Sequence, residues 1–425
     1  MVWNHAAARA ALAIVAAFGA GRAQSIPQKL TLDAAVELAL AQRQELEAAD
    51  ASVRARLGAE EQASRRPNPV FQIQTENWRA WQQPTFSPRV DIDAFGYFTD
   101  TIETGGKRRF RTALAETETH SAELERKALA WSLRRSVAEA WWNALGAAER
   151  VKLIEQSRTT LDELVQFQQT RLELGAIGEI DVIKVRVESE RLAASVATAR
   201  ADAEQAKLAL LGAMGLPRAD ADIEIAGATA LHGDEAPPAL EDAIERALKD
   251  RPDLAVERSL VESARATVDV ERAHAKPNLN PYFGYKKSGV HSTLIGGVSF
   301  AVPIRDRNQG RIAEAIAESE RTQAGVRAAE AMVEAQTRAA VADVQRRREV
   351  VDSIRTGARE RAAETYRIAR AAYQEQGVDL LFLLDAQRSL NEIELLYAQS
   401  LLDYRLSQER LAAATGYDLA AGGSQ

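Results

Sequence analysis

Apolar residues recur three and four positions apart in two stretches of the chain, from Leu32 to Ser64 and from Leu240 to Ala275. This spacing predicts one long amphipathic helix in each stretch, packed on neighbours in water. Pro67-Asn68 and Pro277-Asn278 interrupt the two patterns at corresponding points. Proline removes a backbone donor and biases the preceding residue towards extended geometry, so each helix is expected to end there.

After each Pro-Asn pair the hydrophobic period changes from 3.6 to 2, which predicts β-strands. In the first half of the chain, the alternating strings are VFQIQTENW from Val70 and VDIDAFGYFTDTIE from Val90. In the second half they are PYFGYK from Pro281 and TLIGGVSFAVPI from Thr293. Turn-rich loops, RAWQQPTFSPR and KSGVHS, join the strings in pairs. We therefore expect two hairpins, with four strands in all.

Glycine-containing turns, ETGGKRR and RDRNQGR, return the chain to a helical pattern. Each is followed by a proline-free stretch, from Lys107 to Leu172 and from Gln309 to Tyr373. Helices of that length would measure on the order of 100 Å, too long for an ordinary globular core, and their apolar spacing is typical of coiled-coil packing. A turn at Gly175 to Gly178, and another near Gly377, then lead to a shorter returning helix in each half.

The same order of elements appears twice because the sequence repeats itself. The segment ALAQRQELEAADASVRARLGAEEQASRRPNP aligns with ALKDRPDLAVERSLVESARATVDVERAHAKPNL, and Met214-Gly215 and Thr415-Gly416 close the two copies. A period of about 200 residues is too long for a solenoid, so we interpret it as one duplicated domain-sized unit. The predicted organisation is a signal peptide at 1–23, a first repeat at 24–216, a linker at 217–239, a second repeat at 240–416 and a tail at 417–425.

The predicted signal peptide rests on polar or basic residues, then an apolar run, then small residues up to Ala23. A short buried helix is the alternative interpretation of that run. Beyond it, no stretch reaches the roughly 18 to 20 uncharged apolar residues of a membrane-spanning helix. The net charge of -7, with both signs mixed along the chain, disfavours nucleic-acid binding. The chain has no cysteine, which excludes disulfides, thiolate metal sites and a cysteine nucleophile.

Four alternating strands of about ten residues have the length of tilted membrane-spanning strands. Four strands cannot close into a barrel, and open edges would leave unpaired backbone groups in hydrocarbon. If the strands lie in a membrane, two or three chains must therefore share one barrel. The sequence pattern does not decide between these numbers.

The ordered motifs RRPNP and AKPNL before the hairpins, and LLDAQRSL after the second glycine turn, resemble those of the TolC-like outer-membrane efflux proteins. The resemblance covers nearly the whole chain after residue 23. ETGGKRR and VPIRDRNQGRIAEA look most like the heavy-metal branch, the outer components of cobalt-zinc-cadmium and cobalt-nickel exporters.

The resemblance implies a mainly α protein with a small β part. Three copies would form one twelve-stranded β-barrel in the outer membrane of a Gram-negative bacterium and a coiled-coil α-barrel in the periplasm. The channel would be a passive conduit completed by a periplasmic adaptor and a proton-driven inner-membrane pump of the RND type. Drug or protein export is the rival within this class. A periplasmic coiled-coil adaptor or scaffold is the rival from another class.

The resemblance also implies a pore constriction near the two glycine turns. Asp385 matches an aspartate of the family's entrance, whereas Phe382 replaces the second family aspartate, and Asp379 and Asp181 are further candidates. A threefold ring of Asp385 would concentrate cations; the alternative is a solvated or helix-capping carboxylate. Gly175, Gly178 and Gly377 are explained by the reversals, each of which needs positive φ somewhere, a conformation that glycine adopts at little cost. Side chains beside them, such as Arg186 and Arg388, are candidate adaptor contacts.

Metal-binding and catalytic chemistry are both disfavoured. The five histidines are scattered and no two have the i, i+4 spacing of a helical metal site: His5, His120, His232, His274 and His291. DRNQG lacks most positions of a calcium loop, and ETGGKRR lacks the spacing of a phosphate loop. No nucleophile elbow or dinucleotide fingerprint is present. We therefore expect neither a resident metal or cofactor nor enzymatic activity.

Overall fold

A computed structural model describes residues 27, 29–78, 86–87, 89–216, 223–227, 238–375 and 377–416. The predicted signal peptide (1–23), the tail (417–425), most of the linker, His5 and His232 lie outside these residues. The first half contains β1 (Lys29–Leu30), α1 (Leu32–Gln42), α2 (Gln44–Ser64), β2 (Val70–Glu76), β3 (Asp93–Thr99), α3 (Lys107–Glu173), α4 (Glu179–Ala213) and β4 (Glu224–Ile225). The second contains α5 (Leu240–Asp250), α6 (Pro252–His274), β5 (Asn280–Ser288), β6 (His291–Ser299), α7 (Gln309–Ser353), a π-helix (Ile354–Arg359), α8 (Glu360–Gln374) and α9 (Leu380–Thr415).

The described chain is mainly helical with a small β part, which confirms the predicted fold class. The helix α3 runs unbroken for 67 residues. Its counterpart in the second half is divided by the π-helix into α7 and α8, a break that the hydrophobic pattern did not predict. In the described ranges, no helix combines the length and the apolar character needed to cross a bilayer.

The two entering helices are not continuous, contrary to the prediction from periodicity. Each is interrupted at one arginine with extended geometry, Arg43 (φ −69°, ψ 121°) and Arg251 (φ −68°, ψ 121°). Pro252 then occupies the first turn of α6, where its missing N–H costs nothing. The breaks leave α1 and α5 as separate helices of 11 residues each.

The described residues form two sheets. The four predicted strands make one antiparallel sheet in the order β2-β3-β5-β6, so that the two hairpins lie side by side. The strands β2 and β3, of seven residues each, are shorter than the expected ten, and β3 begins only at Asp93 instead of Val90. The strands β5 and β6 have nine residues each. The second sheet was not predicted: β1 and β4 pair in parallel over two residues each.

The four-stranded sheet has one apolar and one mixed polar face. Phe71, Phe98 and Phe283 lie in one cross-strand row and are all more than half exposed, at 53%, 60% and 62%. The neighbouring row on the opposite face contains Tyr97 paired with Gly284. A Cβ on Gly284 would lie 2.3 Å from the Cβ of Tyr97, so only glycine admits the tyrosine there.

The described residues form two compact units. The first unit comprises residues up to Arg43, Ser136–Glu235 and Arg347–Leu406. It contains the glycine turns, and β1 is anchored in it by a hydrogen bond of 3.1 Å from the Trp141 ring nitrogen to the Leu30 carbonyl. The close contact that a Cβ on Gly146 would make with Leu402, at 2.4 Å, shows how closely α3 and α9 pack in this unit.

The second unit comprises Gln44–Arg135, Ala236–Arg346 and the residues from Ser407 onwards. It contains the four-stranded sheet and a small apolar cluster around Ala247, Leu254 and Val333. The buried Arg251 forms a salt bridge with Asp253, at 2.5 Å. Its guanidinium carbon also lies 5.7 Å from the centre of the Trp131 ring.

Candidate functional site: the glycine-turn end of the first unit

The two glycine turns lie at one end of the first unit, where the ends of α3 and α8 and the starts of α4 and α9 pack together. The shared core contains Leu161 from α3, Val185 from α4, Tyr373 from α8 and Leu383 from α9. All four side chains are buried, between 0% and 7% exposed. The turns therefore sit on a packed base of four helices, which fixes the positions of the polar side chains that surround them.

Only one of the three predicted turn glycines has positive φ. Gly175 has φ +70°, and open space surrounds the position of its missing Cβ. Gly178 has the extended geometry of a helix N-cap, with φ −84° and ψ 152°. Gly377 is outside the positive-φ region. The expected positive φ is therefore found in the first turn, at Gly175, while Gly178 caps the following helix; in the second turn, Gly377 does not supply it.

Asp379 acts as the N-cap of α9. Its Oδ1 accepts a hydrogen bond of 2.8 Å from the backbone N–H of Phe382, one of the donors that a helix start leaves unsatisfied. A carboxylate at this position also complements the helix dipole. The equivalent residue before α4 is Gly178, which has no side chain to cap with.

Asp181 and Asp385 differ in their surroundings. Asp181 lies in the first turn of α4, and its Oδ1 is 3.6 Å from the Nζ of Lys184, with which it forms a partly exposed ion pair. Asp385 is exposed on α9. Among the described residues, no ion pair or hydrogen bond to its carboxylate is found. Of the three candidate carboxylates, Asp385 is thus the one without an ion pair or hydrogen bond, and its charge interacts with that of Arg388.

Arg388 and Arg186 also differ. Arg388 forms a two-point ion pair with Glu188 on α4, with nitrogen-oxygen distances of 3.1 and 3.4 Å, which links the two repeats. The hydrogen bonding to Glu188 and the charge of Glu188 raise the pKa of Arg388 above its ordinary value, and the charge of Asp385 makes a smaller contribution. Arg186 is exposed on α4. Arg388 is exposed as well, so the two candidate adaptor contacts differ in pairing: among the described residues, no ion pair is found for Arg186.

A buried polar joint beneath the turns was missed by sequence analysis. The side-chain amide of Gln168, fully buried on α3, donates a hydrogen bond to the hydroxyl of Tyr373 on α8. Arg171 donates to the same hydroxyl at 3.2 Å. On α9, Gln387 donates to Asn391, which also accepts from Ser157 on α3 at 2.9 Å. Nothing in the local sequence marks these residues, since the joint depends on pairings across some 200 positions.

The chemistry available at this end is electrostatic. Within the described ranges, no group of three or more His, Asp or Glu residues is arranged to hold a metal ion. One exposed carboxylate without an ion pair, that of Asp385, can bias the passage of ions but cannot bind a metal tightly.

Long helices, two hairpins with an exposed apolar face and a polar turn end are the features expected of a subunit of a membrane channel. The sequence matches the family described as "Outer membrane efflux protein" over residues 35–216 and 243–417. The chain belongs to this family. It is an outer-membrane efflux channel that extends into the periplasm, and not an enzyme. The periplasmic scaffold is thereby excluded.

Several known proteins are similar to this chain. The cobalt-zinc-cadmium resistance protein CzcC of Cupriavidus metallidurans is 27% identical over 370 residues, which cover 87% of this chain and 85% of that protein. Among solved structures, the outer membrane protein VceC of Vibrio cholerae is similar with a TM-score of 0.74 and 19% sequence identity. The match covers 91% of this chain and 96% of the VceC chain. CusC has a TM-score of 0.73 and 16% identity, covering 91% and 92%.

Proposed function

We propose that this channel is the outer component of a tripartite system that exports divalent heavy-metal cations such as cobalt, nickel, zinc or cadmium. The observation that carries the proposal is the similarity to CzcC, a cobalt-zinc-cadmium resistance protein, over most of both chains. The unpaired Asp385 at the turn end agrees with a cationic cargo. A periplasmic adaptor and a proton-driven inner-membrane pump of the RND type complete the system.

The assembly we propose is a homotrimer. One chain supplies four strands whose outer two, β2 and β6, have open edges. Three copies supply twelve strands, an even number sufficient to close a membrane barrel and leave no edge in hydrocarbon. The sheet face that carries Phe71, Phe98 and Phe283 then meets lipid, and the opposite face with Gln72 and Gln74 lines the lumen.

In this trimer, Asp385 forms a ring of three carboxylates at the periplasmic mouth. Asp379, engaged as a helix cap, and Asp181, paired with Lys184, contribute less to the field. Exposed residues around Gly175, Gly178 and Gly377 face the adaptor, with Arg186 available for contact and Arg388 held by Glu188. Selection among metals belongs to the pump and the adaptor.

A deletion strain tests the cargo. Loss of the channel is expected to lower tolerance to at least one of the four metals, and a plasmid copy is expected to restore it. Unchanged tolerance to all four metals, together with increased sensitivity to hydrophobic drugs, would replace metal export by the rival drug-export function.

Planar-bilayer recordings test the ring. Asp385→Asn is expected to lower the preference for cations over anions, because it removes one negative charge per chain from a narrow, poorly screened passage. The matched control is Asp202→Asn, which removes the same charge from an exposed position about 30 Å further along α4. Equal effects of the two changes would show that Asp385 is an ordinary solvated carboxylate.

A further inference from the structure

The junction between the two hairpins of one chain shows in detail how two repeats meet. The strand β3 of the first repeat pairs with β5 of the second, and Phe98 stands opposite Phe283 and Thr99 opposite Tyr282. The pairing continues past the strand end, where Ile102 and Leu279 exchange backbone hydrogen bonds of 2.8 and 3.1 Å. The sheet is thus continuous across the repeat boundary.

Side chains of the ETGGKRR turn reinforce this junction. The ammonium of Lys107, only 9% exposed, donates to the carbonyl of Lys276 at 2.6 Å and to the side-chain oxygen of Asn278 at 2.5 Å. The hydroxyl of Thr104 donates to the Pro277 carbonyl. The turn motif of the first repeat therefore binds the Pro-Asn motif of the second repeat.

The duplication provides a second set of the same surfaces, and this set has no partner among the described residues of the chain. The registers of the two hairpins show which residues of the repeats are equivalent. Val70 pairs with Thr99 in the first repeat and Asn280 pairs with Ser299 in the second, so Val70 corresponds to Asn280 and Thr99 to Ser299. The strands β6 and β2 are therefore the counterparts of β3 and β5, but they are the two edges of the sheet. The RRPNP segment, counterpart of the half-buried Pro-Asn motif of the second repeat, is exposed throughout.

We infer that β6 of one copy pairs with β2 of the next in the register that β3 and β5 show within one chain. This inference rests on the proposed trimer and goes beyond it by fixing the contacts. Within one chain, Phe98 pairs with Phe283, and their counterparts are Val298 and Ile73; Val298 is therefore expected opposite Ile73 of the adjacent copy. In the same way, Thr99 and Tyr282 pair, so Ser299 is expected opposite Gln72. Val298 and Ile73 are 58% and 75% exposed in the single chain, so the pairing brings two apolar side chains together on the lipid-facing side.

The backbone at the end of the strands agrees with this register. The counterparts of Ile102 and Leu279 are Val302 and Pro69. Pro69 has no N–H, so it cannot repeat the hydrogen bond that Leu279 donates. The carbonyl of Val302 does not need it, because it already accepts a hydrogen bond of 2.8 Å from the N–H of Ile304 in its own chain. In the inferred register, the Pro69 nitrogen that lacks a hydrogen thus stands opposite the Val302 carbonyl that is already hydrogen-bonded.

One element of the junction is not duplicated. The counterpart of Lys107, the first residue of α3, is Gln309, the first residue of α7. The Gln309 side chain is engaged within its own turn, where it accepts from the Arg307 N–H at 2.8 Å. The junction between copies consequently lacks the buried ammonium, and strand pairing carries more of its stability than in the junction within one chain.

Paired cysteines test the register, since the chain has none of its own. Directly opposed Cα atoms in an antiparallel pair lie about 4.5 to 5.5 Å apart, within the range that a disulfide spans, whereas residues shifted by two lie about 7 to 8 Å apart. The variant Val298→Cys with Ile73→Cys is expected to form disulfide-linked dimers and trimers in isolated outer membranes. A link within one chain cannot form, because β2 and β6 are opposite edges of the sheet.

Three control pairs make the result decisive. Val298→Cys with Phe71→Cys, and Val298→Cys with Thr75→Cys, keep the same face but shift the register by two residues in either direction, and are expected to cross-link severalfold less. Phe98→Cys with Phe283→Cys forms the reference link within one chain and shows that oxidation works.

The outcomes separate the two proposals. Preferred cross-linking by a shifted pair, or none between copies while the reference pair oxidises, would overturn the register. The native mass of the detergent-extracted protein is measured in parallel. Three chains per particle with a shifted register would refute the inferred register and leave the proposed trimer standing. A single chain per particle would refute both the register and the trimer.

Discussion

Removing the hydroxyl of Tyr373 should loosen the turn end of the first unit. In Tyr373→Phe, the Gln168 side-chain N–H loses its acceptor in a fully buried site, and Arg171 loses the same partner. An unsatisfied buried polar group costs about 1 to 3 kcal/mol. Because 1.4 kcal/mol is a factor of ten in an equilibrium constant, local opening of α3 and α8 near the turns should become roughly 5- to 150-fold more frequent.

Hydrogen exchange measured by mass spectrometry on residues 165–173 and 366–374 would report this opening. The matched control is Tyr366→Phe, since the Tyr366 side chain is only half-buried and lies near the exposed Arg370. The double variant Gln168→Leu with Tyr373→Phe removes both polar partners and should exchange more slowly than Tyr373→Phe alone. Exchange in Tyr373→Phe equal to that in Tyr366→Phe, or a double variant no better protected, would refute the reasoning.

Two further predictions concern the stability of single sites. Gly146→Ala should lower the melting temperature of the detergent-solubilised channel, since the added Cβ would lie 2.4 Å from Leu402 and overpacking costs about 1 to 3 kcal/mol. Gly325→Ala should raise the melting temperature, because nothing lies within 4 Å of the added Cβ and alanine favours the helix over glycine. A gain in both would show that Leu402 moves freely. The hydrogen bond from Arg111 lowers the pKa of Glu103 below its ordinary 4.5. Its contribution, about 1 kcal/mol, is therefore present at neutral pH and lost as the pH falls through the lowered pKa. Glu103→Gln should be less stable than the unmodified protein at pH 7 and equally stable in acid; a pH-independent difference would contradict this.

The sequence predicts those features that depend on local periodicity. The change from period 3.6 to period 2 locates β2, β3, β5 and β6, and the absence of proline locates α3. Other features leave no such trace. The π-helix adds local hydrogen bonding of a different kind without changing the apolar pattern. The break at Arg43 has no proline to mark it, whereas Pro252 after Arg251 was a usable signal.

The candidate site was predictable only in part. The repeat and the glycines located the two turns, and the resemblance located Asp385. The state of each carboxylate depends on neighbours that the sequence does not rank: Asp379 is a cap and Asp181 has Lys184 beside it. The joint between Gln168 and Tyr373 is a tertiary contact between the ends of α3 and α8, and no sequence spacing predicts such a contact.

The duplication concentrates the free acid in one repeat. Because α4 starts after Gly178 and α9 after Asp379, the sixth helical residue is Lys184 in the first repeat and Asp385 in the second. In the proposed trimer, six helices start at the mouth: the three copies of α9 carry the Asp385 carboxylate, and the three copies of α4 carry the Lys184 ammonium at the equivalent position. Lys184→Asp should complete a ring of six acids and raise cation selectivity in bilayers above that of the unmodified channel. Unchanged selectivity in Lys184→Asp, with a clear loss in Asp385→Asn, would mean that the two repeats do not present equivalent faces to the pore.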